Sequence, residues 1–543
     1  MATPLKTSES GNILKLELFS RKVSGSRDVS PGVIVCDYRE SILEPTVRFT
    51  IIIVDTGNTN GGGKSSITVI QELKLSGSEK VHMTIEDRQG NRLKFEGDNA
   101  LYISEIRNII SSSEKTIYTL DLVSRECIAN ELLACEVYRR FDGKVSEAAG
   151  AIFKDALKTK KNLAIDETIN KYNFIGQGKQ PFRLLAEIAT KGVPASANNT
   201  AGYLVFETYN GYNFRSIDSL FNEKPVKSFI YNSTTKLPSG YDAKIVKYDA
   251  DNSMNVEKTL KSGGYGSKLE TFNTYTHLFN PKAQEIDTEE QKVHGGTEVP
   301  KLHKDFEQYA QGGAVLSRRF AKLDSVGELP EGSVSQQIAK ATEPNLNLEE
   351  VICQSPMTYN KLFSLDMTVV IPGDYSLRAG QLVHCDFPEQ SSKENTGNDK
   401  ELSGVYMISD ICTHLTSKTT LTKMRLVRDS HGRTANKTAA TSAASANTTA
   451  SKNTGVFGNT PLNPLSLNSL IGAITEDTGL ADVWNNPRYS GTTTPEDGGR
   501  IIDRTLQTSD PGITGNINSS ASVNLDPSYD DPDFNPEDYL QLD

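Results

Sequence analysis

Short runs in which apolar and polar residues alternate fill the chain from Ile13 to Val123. Clusters of Gly, Asn, Asp and Ser separate the runs. Alternation of this kind is typical of strands with one buried face, and several such strands at regular spacing indicate an antiparallel barrel or sandwich. The eight predicted strands are ILKLELFS, GVIVCDY, TVRFTIIIV, SITVIQELKL, KVHMTIED, NRLKFEG, ALYISEI and TIYTLDLV.

The hydrophobic period changes at Ser124, which is a candidate N-cap. After it, Ile128, Leu132, Cys135 and Tyr138 recur at helical spacing. This pattern predicts that one helix carries all four apolar residues.

Two further helices are predicted, one from Ser146 and one from Pro181. Proline suits the first turn of a helix, because its missing N–H has no partner there in any case. The residues expected on the buried faces are Ala149, Ile152, Phe153, Ala156, Leu184, Leu185 and Ile188.

The stretch AGYLVFETYNGYNFRSIDSLF, Ala201 to Phe221, predicts two strands that turn at Asn210 and Gly211, followed by a short helix that Ser216 can cap. Gly211 supplies a positive φ. The aromatic residues either form a rigid wedge that packs the helical spacer against the strand-rich regions or an adjoining subunit, or belong to an ordinary core hairpin within the chain. The candidate interface residues are Phe206, Tyr209, Gly211, Tyr212 and Phe214.

Beyond Lys224 the patterns are mixed. The segments KSFIYNS, AKIVKYDA and SKLETFNTYTHLF predict strands, and residues 301–323 predict a helix around a Gly-Gly interruption. Strands then return in LFSLDMTVVIPG, GQLVHCDF, GVYMISDICTHL and TLTKMRLV.

The two strand-rich regions end with similar sequences. YISEI at residues 102–106 and LDLV at residues 120–123 end the first region, and MISDI at 407–411 and MRLV at 424–427 end the second. The similarity includes a polar position, the Ser of each first motif, and therefore favours a duplicated barrel. The alternative is that any two antiparallel hairpins share an alternation of Val, Ile and Leu.

After Arg433 the composition shifts to Ala, Thr, Ser and Asn, which cannot bury enough apolar surface to fold alone. We interpret residues 433–460 as a flexible linker and 461–543 as an extended acidic tail with no Lys or Arg after Arg504. The tail is either solvated disorder or a peptide that docks on a partner. The candidate docking residues are Trp484, Phe534, Tyr539, Leu540 and Leu542.

Length, net charge and the placement of the cysteines limit which classes of protein the chain can belong to. The 543 residues are enough for about three to four domains, and the formal net charge of -11 argues against tight binding to the DNA backbone. We see neither a run as apolar as a membrane-spanning helix nor the layout of a signal peptide, so we expect maturation in a cytoplasm. The six cysteines lie scattered in apolar runs and are interpreted as buried hydrophobes rather than a disulfide or zinc framework.

One stretch resembles a phosphate-binding loop. Residues 61–65 read Gly-Gly-Gly-Lys-Ser after a predicted strand, with Lys64 in the lysine position. Such a loop needs another glycine where Asn58 stands and a helix after Ser65, whereas residues 67–70 favour a strand. We therefore interpret the stretch as a hairpin loop and expect no cofactor.

His384, Cys385, Cys412 and His414 are candidate metal ligands on two predicted strands. Neighbouring residues of a strand face opposite ways, so at most three of the four could converge. Core cysteines and satisfied histidines are the preferred interpretation. We predict no catalytic, cofactor-binding or metal-binding residues.

Two stretches carry a family resemblance. The run DLVSRECIANELLACEVYRRFDGKVSEAAGAIFKDAL, the Pro-led helix and LVFETYNGYNFRSIDSLF together resemble the baseplate central hub protein of T-even-type contractile-tailed phages, especially cyanophages. VVIPGDYSLRAGQLVHCDFPE with LSGVYMISDICTHLTSKTTLTKMRLVRDSHG is similar to the last barrel of the same hubs. The resemblance covers roughly residues 14–432.

The resemblance implies an α+β, β-rich protein with two similar antiparallel, tube-like β-barrel domains. We expect the first barrel over residues 1–123, a helical spacer with the aromatic hairpin over 124–223, and the second barrel over 224–255 and 356–432. An inserted α+β domain would span 256–355.

The same resemblance implies a structural virion protein and not an enzyme. A homotrimeric ring would adapt a sixfold tail tube to a threefold spike around the DNA ejection channel. Expected partners are a spike protein below, which in this family often bears a lysozyme domain, and tube, wedge and tape-measure proteins above and inside, with transient passage of DNA. The ring would assemble in the host cytoplasm and reside in the tail baseplate.

Two other classes remain open. One is a tail enzyme, either a nucleotide hydrolase acting through Lys64 or a carboxylate-based enzyme that degrades cell wall. The other is a receptor-binding protein at the periphery of a particle.

Overall fold

The computed structural model describes residues 11–57, 67–112, 115–195, 200–232, 236–251, 256–261, 265–272, 279–285, 294–296, 302–310, 315–323, 333–336, 348–388, 399, 401–430 and 432. The chain divides into two compact units, Met1–Ile502 and Asp503–Asp543, and every described residue belongs to the first. In the described part, no helix is long and apolar enough to cross a membrane.

The strands before the spacer are β1 (Asn12–Phe19), β2 (Ser26–Asp28), β3 (Val33–Ser41), β4 (Arg48–Asp55), β5 (Lys80–Glu86), β6 (Arg92–Phe95), β7 (Leu101–Ser111) and β8 (Thr116–Ser124). The spacer contains β9 (Arg140–Phe141), β10 (Leu163–Ile165), β11 (Phe174–Ile175), β12 (Tyr203–Thr208) and β13 (Gly211–Ser216). The later strands are β14 (Lys227–Ile230), β15 (Ala243–Lys244), β16 (Lys247–Asp251), β17 (Gly266–Phe272), β18 (Phe279–Glu285), β19 (Arg318–Leu323), β20 (Leu365–Pro372), β21 (Leu382–Asp386), β22 (Gly404–Thr416) and β23 (Thr420–Arg428).

The helices are α1 (Val69–Leu73), α2 (Arg125–Asn130), α3 (Val145–Ala151), α4 (Pro181–Ala189), α5 (Ile217–Phe221), α6 (Val256–Lys261) and α7 (Leu348–Leu362). A π-helical turn, Ile152–Ala156, continues α3.

A single sheet of 15 strands contains both strand-rich regions. Its main path is β15-β14-β21-β22-β3-β4-β8-β7-β5-β1-β2, with β23, β20 and β16 continuing from β22 and with β6 beside β5. The two regions therefore meet edge to edge where β22 pairs with β3. Three smaller sheets have the orders β10-β13-β12, β11-β9 and β18-β17-β19.

The two regions repeat one strand order. It is β3-β4-β8-β7-β5-β1-β2 in the first region and β16-β20-β23-β22-β21-β14-β15 in the second. The hairpins β7–β8 and β22–β23 also share their register, including a bulge at Ser104 in one and at Ser409 in the other. The matching pairs are Ile103–Leu122 with Ile408–Leu426, Glu105–Asp121 with Asp410–Arg425, and Ile106–Leu120 with Ile411–Met424.

This common register extends to the next two strands of each region. With β8 aligned on β23, the strand β4 takes the place of β20, and β3 takes the place of β16. An Asp then lies opposite a Thr at the same position of both regions, Asp37 opposite Thr50 and Asp249 opposite Thr368.

The regions differ at β1 and β14, because β1 runs antiparallel to β5 whereas β14 runs parallel to β21. The predicted β-rich, largely antiparallel fold is confirmed. No sheet closes into a barrel in the described chain, however. Four residues, 29–32, connect β2 to β3, and two residues, 245–246, connect β15 to β16, and no described ladder joins the strands of either pair.

The predicted strand SITVIQELKL is wrong, because α1 lies within it. Thr68 is the N-cap, Lys74 ends the helix in the left-handed region at φ 50°, and the backbone N of Val69 donates to Asp55 Oδ2 at 2.5 Å. These capping interactions outweigh the preference of β-branched residues for strands. Helix α1 begins only at Val69, whereas a phosphate loop needs a helix that starts directly after Ser65. Asn58 and Lys64 lie outside the described residues.

The helix predicted around Leu132 and Tyr138 is shorter than expected. It ends at Asn130, and a 3₁₀ turn, Leu133–Cys135, follows. Leu132 and Tyr138 are 54% and 68% exposed, so no buried face stabilises a longer helix. Asn130 Oδ1 instead accepts a hydrogen bond of 2.9 Å from the backbone N of Phe182 in the first turn of α4.

The predictions for the other spacer elements are confirmed. Helix α3 begins at Val145, one residue before the predicted start, and α4 begins at Pro181 as predicted. Ser216 accepts a hydrogen bond from the backbone N of Ser219 and caps α5.

The single helix predicted over residues 301–323 is wrong. The described residues there form a 3₁₀ helix, Lys304–Tyr309, and strand β19, which pairs in parallel with β17. Helix α7 was not predicted, because Pro356 interrupts its pattern.

Candidate assembly surface

The aromatic hairpin β12–β13 joins three hydrophobic clusters of the same chain. Phe206 packs in a cluster with residues of α5, α7, β21, β22 and β23. Tyr212 and Phe214 belong to the spacer core with α3 and α4. Tyr209 packs against the core of the first strand region. The hairpin is therefore a wedge between the spacer and both strand regions.

Tyr212 and Phe214 have ring partners inside the chain. Tyr212 lies 5.1 Å from Phe153 between ring centroids, and Phe214 lies 4.8 Å from Tyr203. Phe206, Tyr212 and Phe214 are at most 1% exposed, so their side chains present almost no surface to another molecule.

Gly211 is required at the turn for two reasons. Its φ is +127°, in the region that favours glycine, and an added Cβ would lie 2.3 Å from the carbonyl oxygen of Asn162. The same carbonyl accepts a hydrogen bond of 2.9 Å from the backbone N of Tyr212.

Glu40 on β3 is a buried carboxylate that connects all three parts. Its Oε1 accepts a hydrogen bond of 2.8 Å from the backbone N of Tyr209, and its Oε2 accepts one of 2.9 Å from the backbone N of Ala379. The hydroxyl of Tyr38 donates to Oε1, and Arg378 Nε lies 3.8 Å from it. Burial raises the pKa of Glu40, and this effect outweighs the opposing influence of Arg378 and the hydrogen bonds.

A second buried carboxylate, Glu207 on β12, connects the spacer to the first region. It accepts a hydrogen bond of 3.0 Å from the backbone N of Val47, and Lys161 donates to it. Burial raises the pKa of Glu207. Burial also acts to raise the pKa of Glu126, but Lys161, with Nζ 3.3 Å away, together with Arg125 and hydrogen bonds to the carboxylate, outweighs burial and lowers that pKa.

The joint between the strand regions is a ladder in which residues 410–416 of β22 pair with residues 35–41 of β3. His414 lies opposite Asp37, and the His414 Nδ1 and Asp37 Oδ1 atoms are 2.6 Å apart. Thr413 and His414 are 2% and 8% exposed, so this joint is buried.

The four residues considered for a metal do not converge. His384 and Cys385 lie opposite Val405 and Gly404, near one end of β22. His414 is engaged by Asp37 near the other end of that strand. Within the described ranges, no group of three or more His, Cys, Asp or Glu could hold a metal ion.

Several strand edges of the large sheet have no described partner strand, and two of them matter here. One is the outer edge of β7 from Glu105 to Ser111, and the other is the edge of β16 that faces away from β20. Ile109 and Ile110 on β7 are 54% and 65% exposed. Together these two edges form the candidate assembly surface. The hydropathy pattern did not predict them, because it does not identify which strands lie at the edge of a sheet. The predicted tail-docking residues lie outside the described residues.

No family model matches the chain, and no curated protein matches it. Several solved structures are similar to the chain. A 43 kDa tail protein of prophage MuSo2 from Shewanella oneidensis is 10% identical with a TM-score of 0.42, covering 77% of this chain and 98% of its own.

Two other solved structures are similar to a comparable extent. A tail protein from Neisseria meningitidis MC58 is 12% identical with a TM-score of 0.42, covering 76% of this chain and 96% of its own. The Escherichia coli c3393 protein, a component of the type VI secretion system, is 9% identical with a TM-score of 0.37, covering 78% and 79%. The solved structures that this chain is similar to thus include two tail proteins and a component of a type VI secretion system.

Proposed function

We propose that this chain is the structural hub protein of a contractile-tail baseplate. Three copies form a ring that adapts a sixfold tail tube to a threefold spike and surrounds the channel through which DNA is ejected. The proposal assigns no catalytic step to this chain.

The observation that carries the proposal is the repeated strand order. A tube of six subunits and a spike of three cannot both be matched by a single contact surface repeated in a ring. A chain that contains one strand arrangement twice offers six similar surfaces in a trimer, and the unrepeated spacer offers three. The shared register, with its bulge at Ser104 and at Ser409, supports a structural and not merely compositional repeat.

The buried carboxylates provide further support. Glu40 and Glu207 connect the spacer to the strand regions through hydrogen bonds to backbone groups, so the parts of one chain are held in a fixed relation. Such rigidity is appropriate to a part that passes force from a tube to a spike.

The proposed partners follow the same arrangement. A spike protein, which carries any cell-wall-degrading activity, binds the threefold side. Tube, wedge and tape-measure proteins bind the other side and the interior, and DNA passes through without specific binding. The protein is assembled in the host cytoplasm and resides in the tail baseplate of the virion.

The test is the mass and shape of the purified protein. Multi-angle light scattering is expected to give three times the chain mass of 59.4 kDa, and negative-stain microscopy to show rings with a central channel. A monomer at micromolar concentration would contradict the proposal. Clearing of a peptidoglycan gel or hydrolysis of ATP by the pure protein would instead favour an enzyme, and elongated particles that bind glycans would favour a peripheral receptor-binding protein.

A further inference from the structure

The joint between β22 and β3 shows how one strand region pairs with the other. Seven residues of β22, positions 410–416, pair antiparallel with positions 41–35 of β3. The joint uses the edge of β22 that β21 leaves uncovered beyond Met407, and the edge of β3 that faces away from β4.

The repeat assigns each strand of this joint a counterpart. β7 is the counterpart of β22, because both pair with the last strand of their region in the same register and with the same serine bulge. β20 is the counterpart of β4. β16 lies beside β20 as β3 lies beside β4, so β16 is the counterpart of β3. If the relation between the regions were repeated in full, β7 would pair with β16.

Within one chain the two counterparts do not pair. They are the two ends of the path β16-β20-β23-β22-β3-β4-β8-β7, and no described ladder joins them. The exposure of β7 agrees: Ile109 and Ile110 are 54% and 65% exposed, whereas Thr413 and His414 on β22 are 2% and 8% exposed. An exposed edge strand with apolar side chains is a template for another strand.

We infer that the outer edge of β7 pairs antiparallel with the outer edge of β16 in a second copy of this chain. The inference deepens the hub proposal and rests on it, since it names the surface through which the copies join. The two edges are different surfaces, so each copy donates one and receives the other. A head-to-tail contact of this kind generates a closed ring when the rotation between copies allows it.

The register of the joint follows from the shared pairs. A second bulge in β7, between Arg107 and Ile110, adds one residue, and Ile110 therefore takes the place of His414. Asp249 takes the place of Asp37. Ile110 of one copy is thus expected opposite Asp249 of the next, with Ser111 opposite Tyr248.

Cross-linking tests this register. The double variant Ile110→Cys/Asp249→Cys places two thiols on side chains that are exposed in the single chain. Directly opposite residues of paired strands have Cβ atoms about 4.5–5.5 Å apart, within reach of a short bis-maleimide. We expect covalent dimers and trimers on a denaturing gel after treatment of the full-length protein.

The controls separate this joint from adventitious reaction. Wild type, which has six native cysteines, and each single variant are expected to stay at the monomer position. The matched pair Ile110→Cys/Lys418→Cys, in which Lys418 lies in the exposed turn after β22, is expected to do the same.

A charge variant tests the edge without cysteines. Ile109→Lys/Ile110→Lys leaves the buried cores unchanged but places charges on the edge, and is expected to give a folded monomer. If the wild type is a trimer and neither the cross-link nor the dissociation is seen, the inferred joint is wrong while the hub proposal stands. If the wild type is itself a monomer, both fail.

Discussion

At the scale of single residues, buried polar groups join distant parts of the chain. Glu40 lies 169 positions from Tyr209 and 339 from Ala379, yet it accepts a backbone hydrogen bond from each. No periodicity could predict these contacts, because a carboxylate on a strand is usually expected to face solvent. Sequence reasoning identified Gly211 and Ser216, by contrast, because a turn and a helix cap depend on near neighbours.

Replacing Glu40 by Ala is expected to destabilise the fold. The change leaves the buried N–H of Ala379 and the partly buried N–H of Tyr209 without an acceptor and Arg378 without a nearby carboxylate, so the free energy of unfolding should fall by about 2–4 kcal/mol. Urea unfolding followed by circular dichroism measures it. Glu44→Ala, which removes an exposed ion pair with Arg48, should change stability by less than about 1 kcal/mol. Equal effects of the two substitutions would contradict this account.

His294 is expected to make stability depend on pH. Its Nδ1 lies 2.9 Å from Asp429 Oδ2, and its Nε2 lies 3.2 Å from Asp218 Oδ1. Burial acts to lower the pKa of His294, but the two carboxylates outweigh burial and raise that pKa to about 9. The stabilising contribution is therefore complete below the unfolded pKa of about 6.5 and is lost as the pH rises through about 9.

We expect the wild type to lose about 3 kcal/mol of unfolding free energy, relative to His294→Gln, between pH 6.5 and 9.5. Urea titrations at several pH values measure the difference. The matched control is His303→Gln, because the side chain of His303 is 70% exposed and its pair with Asp305 contributes little. The same pH slope in wild type and His294→Gln would show that His294 is not responsible.

At the scale of elements, local patterns predicted strands well and short helices poorly. Alternating runs predict a strand wherever one face is buried, and most of the predicted strands are present. Helix α1 was not predicted because it is only five residues long and begins with β-branched Val69 and Ile70, and because the hydrogen bond from Val69 to Asp55 depends on a residue distant in sequence. The helix around Leu132 was overextended because spacing alone does not reveal which face meets a core.

The turn of the hairpin provides a prediction at this scale. Gly211→Ala should cost about 3 kcal/mol or more, because φ is positive and the added Cβ would collide with the Asn162 carbonyl oxygen, which belongs to rigid backbone. Thermal unfolding measures the loss. Gly90→Ala is the matched control: its φ is +85°, but a Cβ there meets nothing within 4 Å, so only the backbone cost of about 1 kcal/mol is expected. Equal losses would mean that the close approach to Asn162 is unimportant.

At the scale of the whole molecule, the sequence echo predicted that one arrangement occurs twice, but not how the copies join. The joint between β22 and β3 involves residues about 370 positions apart, and the identity of the end strands emerges only from the full sheet order. For the same reason the predicted closed barrels were not formed: closure depends on whether the end strands can pair, which their own sequences do not determine.

Removal of the predicted linker and tail separates folding from assembly. All described strands lie before residue 433, and β23 ends at Arg428, so a chain that stops at Gly432 retains every described hydrophobic cluster. We expect it to have the same free energy of unfolding as the full chain, within about 0.5 kcal/mol, and to remain a trimer of the shortened chain by light scattering.

If the tail docks on neighbouring baseplate subunits through residues such as Trp484 and Phe534, the shortened chain should enter fewer baseplates when it replaces the full chain during infection. A chain with Trp484→Ser and Phe534→Ser but full length should show part of that defect with unchanged trimer mass. Unimpaired baseplate assembly by the shortened chain would rule out the docking role, and loss of the trimer on truncation would place part of the joint between copies in the tail instead of at β7 and β16.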